Sequence, residues 1–148
     1  MTRSKKNLMV LVVVFICVAV YILRPKTFNN DIFKNENLSI TYIESTVDNG
    51  EAVQNTKNFN FNFETSEFQQ IKKTLEKFSY HICLDTLKGI ASIENNNQTF
   101  ILSSGKETII ITNVPNIIVG DKVYRVGYLG TSKISALNES LNDILNIK

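Results

Sequence analysis

The first hydrophobic run of the chain, Leu8 to Leu23, constrains its structure more than any other stretch. It contains sixteen residues without a charge, mostly Val, Leu, Ile and Phe, and basic residues stand on both sides of it. Each of these side chains favours insertion at the centre of a membrane helix by roughly 0.3 to 0.6 kcal/mol. The run therefore predicts one N-terminal transmembrane helix, a signal anchor that comprises residues 1–26.

The run is short for a membrane span. At about 1.5 Å rise per residue it covers roughly 24 Å, whereas the hydrocarbon core of a bilayer is about 30 Å thick. The long side chains of Lys6 and Arg24 extend its reach, because they hold their charged ends in the headgroup layer. An upright single span is the simplest interpretation.

Two other interpretations of the run stay open. A cleaved secretory signal has the same basic start and apolar middle, and Cys17-Val18-Ala19 offers small residues for cleavage, although the sequence stays apolar up to Leu23. A lipoprotein signal would attach lipid to Cys17, but Ile16 stands where such signals carry a small residue. We expect the uncleaved anchor.

Flanking charges bear on the orientation of this helix. Three basic residues precede the run, and Arg24, Lys26 and Lys34 follow it, so the charge asymmetry that sets membrane topology is small. A short tail before the helix and a large domain after it favour export of the domain. We expect a single-pass protein of the cell membrane with an extracytoplasmic C-terminal domain.

The 122 residues that follow Lys26 suit one domain of ordinary size. Five of the sixteen basic residues lie before this point, which leaves eleven basic and fourteen acidic residues and a net charge of −3. The domain therefore lacks the basic surface that binds nucleic acid, and we expect no nucleic-acid partner. We predict a tether over residues 27–37 and a folded domain over residues 38–148.

Alternating apolar residues predict an antiparallel sheet built from hairpins. The first hairpin is expected to turn at Asp48-Asn49-Gly50, where asparagine and glycine supply the positive φ angles of a tight turn. In its second strand Phe59, Phe61 and Phe63 alternate with asparagines, which indicates one buried and one wet face. The predicted strands are 38–45, 57–63, 80–84, 90–93, 99–103, 107–112, 117–119 and 122–126.

Two helices are indicated by apolar residues at offsets of three and four. Ser66 is the predicted N-cap of the first helix, with Gln69 three residues later, and its apolar stripe is expected to cover the phenylalanines of the hairpin. The second helix is expected from about Ser132 to Asn146. Hairpins combined with two packed helices indicate an α+β domain with a mainly antiparallel sheet. The predicted core positions of the helices are Phe68, Ile71, Leu75, Phe78, Ile134, Leu137, Leu141, Ile144 and Leu145.

Few residues suit catalysis or metal binding. His81 is the single histidine of the chain, and Cys83 would share its face of a strand without being set up for attack. We expect Cys83 to be a small buried hydrophobe that forms no disulfide within the domain, since Cys17 lies in the membrane run. One histidine, one cysteine and scattered acids do not make a metal site, and no phosphate loop or dinucleotide fingerprint occurs. We expect no cofactor and no enzymatic activity.

Aromatic and cationic side chains cluster in two short segments that are expected to be extended. Tyrosine and arginine are residues that protein interfaces favour. Because side chains alternate along a strand, Tyr124 and Tyr128 would share one face and Arg125 the other, so the tyrosines are also candidates for the core. The candidate binding surface comprises Tyr80, His81, Tyr124, Arg125 and Tyr128.

The chain thus combines an N-terminal anchor, a strand hairpin, a helix that ends near Tyr80-His81, and several short strands that lead through 124–128 to a final helix. Over residues 38–146 this order resembles small membrane-anchored domains of Gram-positive bacterial envelope proteins. The resemblance implies an extracytoplasmic α+β domain, and it brings no activity or catalytic residue.

These observations favour a non-enzymatic module that is anchored in the membrane through Leu8 to Leu23 and binds an envelope protein or envelope ligand. Two hypotheses from other classes stay open. One is a small cell-envelope hydrolase that uses Cys83 and His81. The other is a structural assembly subunit, for which self-association is the discriminating observation.

Overall fold

A computed structural model of the chain describes residues 3–28, 33, 37–83, 98–127 and 132–147, and for residues 3–6 and 21–23 it describes the backbone alone. Within these ranges the chain forms three helices and one seven-stranded sheet, and all paired strands are antiparallel. The predicted α+β class with a mainly antiparallel sheet is confirmed.

The described strands of the sheet run in the order β2-β1-β4-β5-β6-β7-β3, so among them β2 and β3 are the two edges. The strand predicted at 90–93 lies outside the described residues. The helices are α1 (Arg3–Leu23), α2 (Ser66–Lys77) and α3 (Ile134–Leu145), and the strands are β1 (Leu38–Asp48), β2 (Glu51–Phe61), β3 (Tyr80–Ile82), β4 (Gln98–Ser104), β5 (Glu107–Thr112), β6 (Asn116–Val119) and β7 (Lys122–Val126).

Two-residue turns set the register of three hairpins. At the first turn both Asn49 and Gly50 have positive φ angles, 49° and 87°, as the sequence predicts. Gly105 and Gly120 have φ angles of 59° and 58° at the turns between β4 and β5 and between β6 and β7. Both of these turns were also predicted, because each contains a glycine between two apolar runs.

The first hairpin is longer than its predicted strands. Its two strands pair without a skipped residue from Leu38 opposite Phe61 to Asp48 opposite Glu51. The prediction that β2 reaches Phe63 is wrong, because the chain leaves the sheet after Phe61 and turns towards α2. The phenylalanines of β2 are half-buried, since an edge strand has a neighbouring strand on one side only.

The core lies between one face of the sheet and the apolar faces of α2 and α3. The predicted stripes of both helices contact it, although Phe78 and Ile144 are only half-buried. Full burial of one such apolar side chain favours folding by about 1.5 to 3 kcal/mol. The least exposed large core residues are Tyr42, Tyr80, Phe100, Leu38, Ile40, Ile71, Leu75, Leu102, Ile109, Ile111, Ile117 and Leu137.

The N-cap of α2 is Thr65 and not Ser66 as predicted. Thr65 is extended, with φ −72° and ψ 150°, and its Oγ1 accepts a hydrogen bond from the backbone N–H of Phe68 at 3.4 Å. The side-chain amide of Gln69 donates to the carbonyl oxygen of Phe63 at 2.8 Å. Threonine and serine both cap helices well, so the choice between the two neighbours depends on which one is extended.

Two aromatic residues from the segment predicted as a tether lie in the core. Phe28 is 7% exposed and Phe33 is 4% exposed. The ring of Phe28 lies 3.9 Å from that of Tyr80 and 5.9 Å from that of Tyr124, measured between centroids. Phe28 and Phe33 thus contribute to the hydrophobic core of the domain.

The segment before Phe28 is joined to the β3 edge of the sheet. Lys26 donates its backbone N–H to the carbonyl oxygen of Tyr80 at 2.7 Å and accepts the N–H of Tyr80 at 2.9 Å. Only Arg24 and Pro25 separate this bridge from the end of α1 at Leu23, and α1 also contacts β3.

Helix α1 differs from α2 and α3 in its exposure. The nine consecutive side chains from Leu8 to Ile16 are exposed by between 47% and 73%. Nine residues make more than two turns at 3.6 residues per turn, so exposed apolar surface occurs on every side of this helix. Among the residues that the structure describes, no helix has both the length and the apolarity to cross a membrane.

Candidate functional site

The five residues of the predicted binding surface divide between the two faces of the sheet. Tyr80 is fully buried and Tyr124 is 7% exposed, so both are core residues, which corrects their assignment to a binding surface. Arg125 is exposed and His81 is half-buried on the opposite face. Tyr128 lies outside the described residues. The alternation of side chains along β7 was predicted correctly. It places Tyr124 and Arg125 on opposite faces of the sheet.

His81 and Arg125 are brought together by the pairing of β3 with β7. They stand directly opposite each other, and on the other side of β7 Arg125 stands opposite Asn116 of β6. Directly opposed residues of an antiparallel pair have Cβ atoms about 4.5 to 5.5 Å apart. His81, Arg125 and Asn116 therefore form a row across three strands on the face opposite the core, which we call the polar row.

Cys83 lies beside the polar row. It follows β3 directly, and its backbone N–H continues the ladder to the carbonyl oxygen of Val123 at 2.9 Å. Its thiol donates to Oδ1 of Asn116 at 3.5 Å and approaches the carbonyl oxygen of His81 at 4.0 Å. In both contacts the thiol is the donor, so neither contact withdraws its proton and activates the sulfur for attack.

Tyr80 holds β3 in place from the core side. Its hydroxyl donates to the carbonyl oxygen of Leu75, near the end of α2, at 2.7 Å. Burial raises the pKa of Tyr80 well above its ordinary value of 10, because the charged phenolate would lose its hydration in the core. The hydroxyl therefore remains a donor at physiological pH. Together with the bridge to Lys26, this bond fixes the backbone from which His81 projects.

The polar row has the chemistry of an anion-binding surface. The guanidinium of Arg125 presents five donors in a planar fork that matches a carboxylate or a phosphate. The Asn116 amide adds two donors and an acceptor, and the ring nitrogens of His81 add a further hydrogen-bonding group. In the described ranges no three His, Cys, Asp or Glu residues are grouped so as to hold a metal ion.

Asn116 is the member of the row that the sequence analysis missed. A signal for it existed, because the predicted turn at Gly120-Asp121 fixes Val119 opposite Lys122. Counting three residues away from the turn along each strand places Asn116 opposite Arg125. The position of His81 in the row had no such signal, since β3 and β7 are more than forty residues apart in the chain.

The fold and the polar row together define an α+β domain with a cationic, hydrogen-bonding patch near the end of an apolar helix. No family model, curated protein or solved structure matches this chain.

Proposed function

We propose that this chain is a membrane-anchored extracytoplasmic binding module. In this proposal α1 is a single-pass anchor, and the polar row binds an anionic group on an envelope protein or envelope ligand. The observation that carries the proposal is the exposure of apolar side chains on every side of α1. In this proposal the domain is non-enzymatic, and the thiol of Cys83 serves as a hydrogen-bond donor to Asn116.

A helix that is apolar all round favours lipid over a protein groove. A groove on another protein covers one stripe of a helix, whereas the residues from Leu8 to Ile16 point in all directions. Among the described residues, eleven of the fourteen large apolar side chains that are exposed belong to α1. A bilayer would remove this surface from water on all sides at once.

The shortness of the uncharged run sets a condition on this anchor. Sixteen residues rise about 24 Å, roughly 6 Å less than an average hydrocarbon core. Local thinning of the bilayer and extension of Arg24 towards the headgroups accommodate such a mismatch at a cost of fractions of a kcal/mol per Å. A membrane of less than average thickness therefore suits this helix best.

The polar row would lie close to the membrane surface in this arrangement. The three residues Arg24 to Lys26 reach at most about 11 Å from the end of α1. Lys26 is bonded to Tyr80, the neighbour of His81, so the row is tied to the membrane end of the domain. The partner would thus carry its anionic group near the headgroup layer.

Topology and processing test the anchor. Intact cells that express the full chain with a C-terminal tag are treated with protease, and the N-terminus of the membrane-bound product is determined. We expect a protease-accessible domain and a product that begins at Met1 or Thr2. A product that begins near Val20 and is released to the medium would make the run a cleaved signal. Protection of the domain would place it in the cytoplasm and end the proposal.

A charge in the middle of the run tests membrane insertion directly. Val13→Arg places arginine near the centre of the helix, where it costs about 2.5 to 3.5 kcal/mol of insertion free energy. Val47→Arg, on a residue that is 76% exposed in the first hairpin, is the matched control. We expect Val13→Arg to reduce the fraction of protein that resists alkaline extraction from membranes, and Val47→Arg to leave it unchanged. Equal retention of both variants would contradict insertion.

Arg125→Ala tests the polar row. Lys122→Ala is its control, because Lys122 is an exposed cation on the same strand with its side chain on the other face. Full-length wild type and both variants are cross-linked in membranes and purified with their partners. We expect one or more partners to be lost with Arg125→Ala and kept with Lys122→Ala. Identical partner sets for all three proteins would remove the polar row from the proposal.

The grouping of Cys83, His81 and Asn116 suggests a second candidate function, that of a hydrolase. Thiol, imidazole and amide are the side-chain types that cysteine hydrolases combine. Such an enzyme needs a thiolate, so its cysteine reacts with iodoacetamide faster than a cysteine in an unfolded peptide. We expect Cys83 in the folded chain to react more slowly than in the urea-unfolded chain. Faster reaction when folded would favour the hydrolase.

A further inference from the structure

We propose that β2 is a self-association edge, along which a second copy of this chain pairs antiparallel, β2 against β2, around a two-fold axis at Gln54. The resulting sheet would join the seven described strands of each copy. The inference rests on the exposure, the backbone pattern and the charges of β2, and it does not require the anchor or the polar row.

In the described part of the chain the β2 edge is long and regular, and only β1 lies beside it. It has eleven residues, nine of them exposed, and the remaining two, Phe59 and Phe61, are half-buried. Natural sheets usually blunt an exposed edge with proline, a bulge or several charges. β2 contains no proline, its pairing with β1 has no bulge, and it carries one lysine, Lys57. Such an edge is open to another strand.

The outward backbone groups of β2 follow from its turn. In a two-residue hairpin the residues that flank the turn, here Asp48 and Glu51, form a hydrogen-bonded pair, and such pairs alternate with non-bonded pairs along the ladder. The odd-numbered residues of β2 therefore bond to β1. The even-numbered residues, Ala52 to Asn60, direct their N–H and C=O groups outward.

Pairing around Gln54 uses these outward groups and matches the charges. It places Gln54 opposite Gln54 of the second copy and Glu51 opposite Lys57 of the second copy, and two-fold symmetry creates this acid–base pair twice. Within its own hairpin Glu51 stands opposite Asp48, a like charge that destabilises the pair. Lys57 of the second copy would offset that repulsion.

Charge selects this register over the neighbouring one. A two-fold axis at Thr56 would also use the even-numbered backbone groups, and it would pair all eleven residues. It places Glu51 opposite Phe61, however, and forms neither acid–base pair. Self-complementary charges also favour a second copy over an unrelated peptide, since an unrelated strand has no reason to carry lysine and glutamate six residues apart.

Charge reversal tests the partner and the register together. The dissociation constant of the full chain in detergent micelles is measured by analytical ultracentrifugation at low salt. We expect Lys57→Glu and Glu51→Lys each to raise it at least tenfold, and the double variant to return it to within threefold of wild type. Lys106→Glu, at the exposed turn between β4 and β5, is the control and should have no effect.

Cross-linking in membranes tests the axis position independently of affinity. In the proposed dimer the two copies of residue 54 have Cα atoms about 5.5 Å apart, within disulfide range, and the two copies of residue 60 are about 40 Å apart. We expect Gln54→Cys to form an oxidised dimer above the background of the native cysteines, and Asn60→Cys to stay at that background. Equal cross-linking at both positions, failure of the double charge variant to restore association, or a chain that stays monomeric at every concentration would overturn the proposal.

Discussion

The two edges of the sheet differ in length, in cover and in the residues that form them. The β3 edge has three residues and is sealed by the chain itself, since Lys26 bonds to Tyr80 and Phe28 packs behind it. The β2 edge has eleven residues, mostly polar and exposed, and in the described part of the chain only β1 lies beside it. Within the described residues, one edge is closed by the chain itself and the other is exposed.

Because of this difference, we expect the β3 edge to affect the stability of the fold and the β2 edge to affect association. The closed edge is built on aromatic rings that are at most 7% exposed, so a substitution there should reduce the free energy of unfolding. The open edge contributes few buried atoms, so substitutions there should change the fold little and association more. The four predictions that follow test this division by equilibrium urea unfolding of the full chain in detergent, monitored by circular dichroism.

Phe28→Ala should have the largest effect. It removes a ring that is 7% exposed and packs against Tyr80 and Tyr124, and such truncations cost about 3 to 5 kcal/mol. Phe59→Ala, at the half-buried open edge, is the matched control and should cost clearly less. Equal losses for the two variants would show that the β3 edge is not the more stabilising of the two.

Gly50→Ala should have the next largest effect. Gly50 has a φ of 87°, a conformation that costs residues with a side chain about 1 to 2 kcal/mol. Open space surrounds the position of the added Cβ, so conformational strain is the whole of the expected loss. Gly50→Asn should recover most of it, because asparagine adopts positive φ more readily. If Gly50→Asn lost as much free energy of unfolding as Gly50→Ala, the cause would be a side-chain contact and not backbone strain.

Tyr80→Phe should reduce the free energy of unfolding by about 1 kcal/mol at neutral pH, since it removes the buried hydrogen bond to Leu75. Below pH 10 Tyr80 is protonated in the folded and the unfolded chain, so this difference is fully present. Above pH 10 the unfolded chain releases the proton while burial keeps the folded pKa higher, so wild type loses stability. The gap between wild type and variant should therefore narrow as the pH rises above 10. A constant or wider gap would contradict the burial of the hydroxyl.

Val47→Ser should have the smallest effect, within about 0.5 kcal/mol of wild type. Val47 is 76% exposed on the part of the first hairpin that extends beyond β4, so its side chain has little burial to lose. A Val47→Ser loss above 1 kcal/mol would mean that this part of the hairpin packs against something in the isolated chain.

The sequence predicts those parts of the fold that local chemistry decides. Turns at Gly50, Gly105 and Gly120 were located because positive φ needs glycine or asparagine, and both packed helices were found from their apolar periodicity. Errors of a few residues occurred at strand ends and at the cap of α2, where neighbouring residues have similar propensities.

The pairing of strands that lie far apart in the chain could not be predicted from the sequence. Alternation along β7 separates Tyr124 from Arg125, but it does not say which face meets the helices. The pairing of His81 with Arg125 depends on β3 closing the sheet, and the burial of Phe28 and Phe33 depends on the path of a polar segment without periodicity. The candidate site was therefore predicted in part. The prediction included Arg125 and His81, missed Asn116, and wrongly included the two core tyrosines Tyr80 and Tyr124.

The bridge between Lys26 and Tyr80 also has a mechanical consequence. A force applied to the domain from outside is transmitted to α1 through residues 24–28, and it loads the two backbone hydrogen bonds of the bridge and the Phe28 ring before it stretches any of the three hairpins. The first element loaded under tension is thus the seam of the sheet nearest to the helix. Peeling at this seam would uncover the backbone of Tyr80 while the rest of the sheet stayed intact, so the β3 edge is where the domain would yield to a pull.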